Sequence, residues 1–156
     1  MIAVSIPDFG ELRLEHLVLD YNGTLARDGK LLPGVGRQLR MLSRKIRIHI
    51  ITADTFGIAA KGLAGLPVTL KILAAAAQAK AKADYVRKLS AETVVAIGNG
   101  RNDRLMLKSA ALGIAVVHDE GAAAQTVMVA DVIAPRIHTA LDLLQKTNRL
   151  KATLRS

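Results

Sequence analysis

The chain has 156 residues, enough for one ordinary domain with a full core and too few for two of normal size. Apolar residues make up 51% and cysteine is absent, which excludes a disordered chain, a disulfide framework, a zinc–thiolate site and a thiol nucleophile. Lysine and arginine number 22 against 13 acidic residues, and this net charge of +9 invites an anionic partner.

In chain order, residues 2–6 and 12–14 suit a small hairpin within the first 14 residues. Residues 16–19 (HLVL), 46–51 (IRIHII), 93–97 (TVVAI) and 114–117 (IAVV) are β-branched runs that predict strands. Shorter strands are expected at 66–70 and 131–134. Val35, Leu39 and Leu42 form one helical stripe, and Ala79, Ala83, Val86 and Leu89 form the next. Residues 102–112 and 122–129 also suit helices. The tail, 137–156, reads as a basic C-terminal helix with Ile137, Leu141 and Leu144 on one face. Strand and helix alternate throughout, so the expected fold is α/β: one domain over 1–156, a doubly wound parallel sheet covered on both faces.

Several classes drop out. No apolar run approaches the roughly 18 residues of a membrane span. The first residues, MIAVSIPDFGEL, break at Pro7-Asp8 where a signal peptide would have its apolar stretch. A cytoplasmic protein is expected. The histidines (16, 49, 118, 138) make no His-x-x-x-His pair, and Gly34-x-Gly36 lacks the third glycine of a dinucleotide fingerprint. No Gly-x-Ser-x-Gly is present.

Ligands of a doubly wound sheet sit at the carboxyl ends of its strands, so the residues just past each apolar run matter most. Asp20-Tyr21-Asn22-Gly23-Thr24 comes after the first, Thr52-Ala53-Asp54 after the second, and Gly98-Asn99-Gly100-Arg101-Asn102-Asp103 after the run at 93–97. A carboxylate there can attack phosphorus and form an acyl phosphate. Gly23 permits a sharp turn that aims amides at phosphoryl oxygens. A threonine hydroxyl can donate to them, a lysine can neutralise them, and Asp103 with an asparagine can hold Mg2+ through oxygen.

These segments resemble the haloacid dehalogenase (HAD) superfamily of phosphohydrolases. The matches are LVLDYNGT (17–24), HIITAD (49–54), KADYVRKL (82–89) and VVAIGNGRND (94–103), in the family's order. The last two look most like P-type ATPases and a small group of soluble ATPase-like HAD hydrolases. The short spacings from Asp20 to Thr52 and from Thr52 to Lys82 leave no room for a large insertion, so the resemblance implies a capless HAD domain. It implies that Asp20 is the nucleophile and a Mg2+ ligand. Asn22 sits at the acid/base position and lends its carbonyl to the metal. Gly23, Thr24, Thr52, Ala53, Lys82 and Asn102 line the phosphoryl site; Thr52 and Lys82 count with Asp20 and Asn22 as catalytic. Asn99 and Asp103 occupy the metal-binding acidic motif. Capless relatives that dephosphorylate 3-deoxy-octulosonate 8-phosphate are tetramers, so a homo-oligomer is expected here.

Two departures stand out. The family usually has aspartate at the positions of Asn22 and Asn99. An amide cannot shuttle a proton at neutral pH, and acid/base help is typically worth ~10²–10⁴-fold. The expectation is a slow Mg2+-dependent phosphatase acting on a phosphorylated small molecule or phosphoprotein. The alternative is an impaired module that binds phosphate or protein. Lys82 is favoured over Lys80 by the motif match, and Asp54 reads as a helix cap before a substitute acid/base. The basic residues mostly avoid the motifs and read as solvated helix faces. Nucleic acid is therefore not the expected partner, because four aromatics are too few for a stacking surface.

Overall fold

The computed structural model describes residues 1–54, 57–74 and 76–156. Strands β1 (Ile2–Ile6) and β2 (Gly10–Leu14) form the expected antiparallel hairpin, with Ile2, Ile6, Leu12 and Leu14 buried. The central strand, β3 (His16–Asp20), is buried along its whole length. A short antiparallel pair comes next, β4 (Ala26–Arg27) with β5 (Lys30–Leu31), where the sequence pattern predicts no strand. Helix α1 (Val35–Leu42) then buries the predicted stripe of Val35, Leu39 and Leu42.

Strand β6 (Arg47–Thr52), the short helix α2 (Ile58–Gly62) and strand β7 (Thr69–Ile72) complete one wing of the sheet. The other wing starts with helix α3 (Gln78–Lys88) and strand β8 (Val94–Gly98). A 3-10 turn over Arg101–Asp103 leads into α4 (Arg104–Ser109), and the chain continues as β9 (Leu112–Val116), α5 (Ala124–Val129) and β10 (Val132–Ala134). The helix expected at 102–112 is thus shorter, because Leu112 already pairs with Val95 in the sheet.

The six-stranded sheet has the order β10-β9-β8-β3-β6-β7, and every pairing in it is parallel. The chain builds outward from β3 in one direction, then returns and builds outward in the other. The reversal opens a crevice beyond the carboxyl ends of β3 and β8. Period-two alternation divides the core. Leu17 and Leu19 of β3 face the layer with α1 and the hairpin, whereas Val18 faces Val86, Met106 and Leu107 of α3 and α4. Among the described residues, the links from β3 to β6 and from β6 to β7 carry only the β4–β5 pair, α1 and α2, with no inserted cap domain.

One expected element is corrected. The basic tail is two helices, α6 (Ile137–Gln145) and α7 (Thr147–Leu154), not one over 137–156. The chain leaves helical geometry at Lys146 (φ −114°, ψ 68°). The break gives α7 its own direction, along which Leu150 is fully buried in the same core as the hairpin's leucines and isoleucines.

Candidate active site

Parallel pairing sets the strand ends level: Asp20 lies opposite Ile51, and Leu19 lies opposite Ile97. Asp20, Thr52 and Asn99 therefore emerge along one edge of the sheet. All three side chains are buried, as are Thr24, Lys82 and Asp103. Lys82 reaches that edge from the first half of α3. Its Nζ lies 2.5 Å from Asp20 Oδ1 and 2.6 Å from Asp103 Oδ1. Lys80, two residues away on the helix, points outward and pairs with exposed Asp84. The 3.6-residue period separates the two lysines.

Asp103 is held from both sides. Its Oδ2 accepts the backbone N–H groups of Asn99 at 3.0 Å and Gly100 at 2.8 Å. Gly98 makes this approach possible, because a Cβ there would stand 2.5 Å from the Asp103 carboxyl carbon. Burial raises the Asp20 carboxyl to about 7, the Asp103 charge pushes the same way, and Lys82 opposes both. For Lys82, burial pulls the ammonium down, but the two carboxylates outweigh it and hold it above the ordinary lysine value.

The loop after β3 turns back on itself. The Tyr21 carbonyl accepts the N–H groups of Thr24, Leu25 and Ala26, and Gly23 takes a positive φ of 74°. Thr24 Oγ1 lies 3.4 Å from Asp20 Oδ2 and 3.2 Å from Asn99 Oδ1. Thr52 Oγ1 accepts the Asp54 N–H at 3.3 Å, a bond that uses a lone pair and keeps the hydroxyl proton for an anion. Ala53 sits beside it, half-buried. The Asp54 carboxylate accepts the N–H groups of Ala59 and Ala60, so it caps α2. Asn22 is exposed at the mouth of the crevice. Asn102 is engaged elsewhere: its Nδ2 donates to Gln78 Oε1 at 2.7 Å, tying the 3-10 turn to the start of α3.

A divalent cation suits this oxygen set. One Thr24 hydroxyl proton faces two acceptors, Asp20 Oδ2 and Asn99 Oδ1, and can satisfy one of them. The other oxygen is left for a hard cation, and the two carboxylates exceed the single ammonium by one negative charge. No group of three or more histidine, cysteine or acidic side chains converges as a metal cluster among the described residues.

Three further residues belong to the neighbourhood and were not among those the motifs pointed to: His118, Glu120 and Thr126. His118 Nε2 donates to the Thr24 carbonyl at 3.2 Å. Buried Thr126 donates to the Gly100 carbonyl at 2.7 Å. Glu120 accepts the Asp28 N–H at 3.0 Å. The signal was present: His118-Asp119-Glu120 comes directly after the predicted strand at 114–117, where the strand-end rule applies as it does to the others.

The architecture is that of HAD-superfamily hydrolases. A protein from Legionella pneumophila described as a HAD-superfamily (subfamily III A) hydrolase superposes with a TM-score of 0.73 at 18% identity, over 91% of this chain and 87% of that one. A 3-deoxy-D-manno-octulosonate 8-phosphate phosphatase from Moraxella catarrhalis, solved with magnesium, phosphate and the sugar acid, superposes with a TM-score of 0.72 at 18% identity, over 92% and 94%. No protein-family model matches the chain. In sequence, the chain is 55% identical over 62 residues to the uncharacterized protein MJ0073 of Methanocaldococcus jannaschii, covering 40% of this chain and 67% of that one. The chain belongs to one family with MJ0073.

Proposed function

We propose that the protein is a Mg2+-dependent phosphohydrolase that works through an aspartyl phosphate on Asp20. The observation that carries this reading is the buried pairing of Lys82 with both Asp20 and Asp103 at a strand end. A lysine shared by two buried carboxylates works against the burial that raises Asp20 and so favours the ionised nucleophile beside a cation seat. Asp20, Asn99, Asp103 and the Asn22 carbonyl would hold Mg2+, which when bound neutralises charge on the phosphoryl group.

The chain's own residues do the rest. Thr52 and Lys82 bind and orient the phosphoryl oxygens, because the Gly23 and Thr24 amides are already spent on the Ala26 and Tyr21 carbonyls. An Asp20 oxygen attacks phosphorus, and the bond to the leaving oxygen breaks. That oxygen takes its proton from solvent, because the Asn22 amide is far too weak an acid to supply one. Water then attacks the same phosphorus, the bond to Asp20 breaks, and inorganic phosphate leaves with the carboxylate restored. Turnover is slow for want of an acid/base at position 22.

The substrate class is a phosphorylated small molecule or phosphoprotein, in keeping with an edge that no cap covers among the described residues. In a cytoplasmic homo-oligomer, a neighbouring copy would cover that edge. The second reading, a module that binds phosphate or protein without turnover, is favoured by the paired amides at 22 and 99. Phosphate release from a panel of phosphoesters, with and without Mg2+, for the natural chain and Asp20→Asn, separates the two. Metal-dependent release lost in the variant supports the enzyme; no release from either supports the module.

A further inference from the structure

Glu120 lies in the loop between β9 and α5, and its carboxylate has two neighbours. Oε1 accepts the Asp28 N–H at 3.0 Å. Oε2 stands against Gly23: a Cβ placed there would meet Glu120 Oε2 at 2.9 Å and the Asn99 amide at 2.5 and 2.9 Å. Glu120 and Asn99 therefore both stand close against the same bare backbone carbon. The Glu120 loop also orients Asn99. Asn99 Nδ2 donates to the Gly121 carbonyl at 3.0 Å, and the Asn99 carbonyl accepts the Ala123 N–H at 2.8 Å. This leaves Asn99 Oδ1 facing Thr24 and the Asp20 side of the site. An aspartate at 99 would turn a lone pair toward the Gly121 carbonyl and a like charge toward Glu120. The neighbouring acid, Asp119, is already paired with Arg27, so its charge is spent.

Resting on the Mg2+ reading above, we propose that Glu120 completes the divalent-cation site through the cation's water shell, supplying the negative charge that position 99 lacks. Glu120 is exposed, and among the described residues its Oε2 takes no hydrogen bond, so it is open to water. A unit charge at such range in partly solvated surroundings changes divalent affinity by about 5- to 10-fold.

Calorimetric Mg2+ binding to the substrate-free protein tests this. Glu120→Gln keeps an acceptor for the Asp28 N–H and removes only the charge. It is expected to weaken Mg2+ by about 5- to 10-fold. Glu92→Gln, at the opposite end of the sheet, should bind as the natural chain does. Unchanged binding in Glu120→Gln, where the natural chain binds Mg2+ and Asp20→Asn does not, overturns the role of Glu120 alone. Mg2+ binding no tighter in the natural chain than in Asp20→Asn overturns the metal reading and this proposal with it.

Discussion

At the first residue of β3, His16 Nδ1 lies 2.9 Å from His49 Nε2, and His49 Nδ1 lies 2.9 Å from the Tyr85 hydroxyl. At the last residue of the same strand, Asp20 shares Lys82 with Asp103. Both clusters are built between the sheet and α3. The first stays buried by staying neutral: burial drives His49 down to about 4, with the charges of His16 and Arg47 adding to it. A chain of two neutral imidazoles and a phenol satisfies itself proton by proton. The second keeps its charges by pairing them, at the cost of desolvating three ions. Only the second carries an unmatched negative charge beside a buried carboxylate, which is why the proposed function rests on it.

The comparison can be broken in four places. If Asp20 is the proposed nucleophile, Asp20→Asn should cut phosphate release by about 10⁴-fold or more, measured under saturating Mg2+. Lys82→Met leaves two buried carboxylates facing each other, and should cost about 3–5 kcal/mol at pH 7 by urea unfolding. The loss should be larger at pH 9 and smaller at pH 5, because the carboxyl, raised to about 7 with Lys82 in place, rises further without it and takes up its proton at the lower pH. An undiminished stability at pH 7 would show that the ammonium is not what holds the charged cluster together. Asn22→Asp should raise turnover by about 10- to 100-fold, within the range of acid/base help; an unchanged rate would remove Asn22 as the limit.

The smallest effect is at the histidine end. The folded value of His49 lies below its unfolded value near 6.5, so the unfolded chain binds more protons between pH 4 and 6.5. This contribution is complete above 6.5 and is lost as pH falls toward 4. Asp20 runs the other way: its folded value is raised, so its contribution is complete below the unfolded value near 3.8 and fades as pH rises through 7. Urea midpoints at pH 5 and 7 should therefore change slope in opposite senses in His49→Gln and Asp20→Asn, by about 1–2 kcal/mol each.

Much of this was legible in the sequence. Strand ends are local: a β-branched run that stops at Asp20, Thr52 or Asn99 announces which side chains meet the crevice. The stripe of Val35, Leu39 and Leu42 marks the buried face of α1 for the same reason, since period and pattern are properties of consecutive residues. The β4–β5 pair is invisible in the sequence because two-residue strands carry no periodicity. The break at Lys146 leaves only a faint trace: the stripe of Ile137, Leu141 and Leu144 meets Asn148 and Lys151 where it would continue, and Leu150 lies off that face. Nothing in that pattern tells that the last helix must turn to cover the hairpin.

The sequence by itself determined the strand-and-helix order, the parallel α/β sheet and the line of polar residues at its carboxyl edge, because each depends on spacing along one segment. Only the tertiary structure decided which charges share a site. Lys82 meets Asp20 across 62 residues of chain, and the Glu120 loop meets Gly23 from the far wing of the sheet. Such meetings depend on how separate segments pack, and electrostatic energy depends on the distance in space and the water excluded between them.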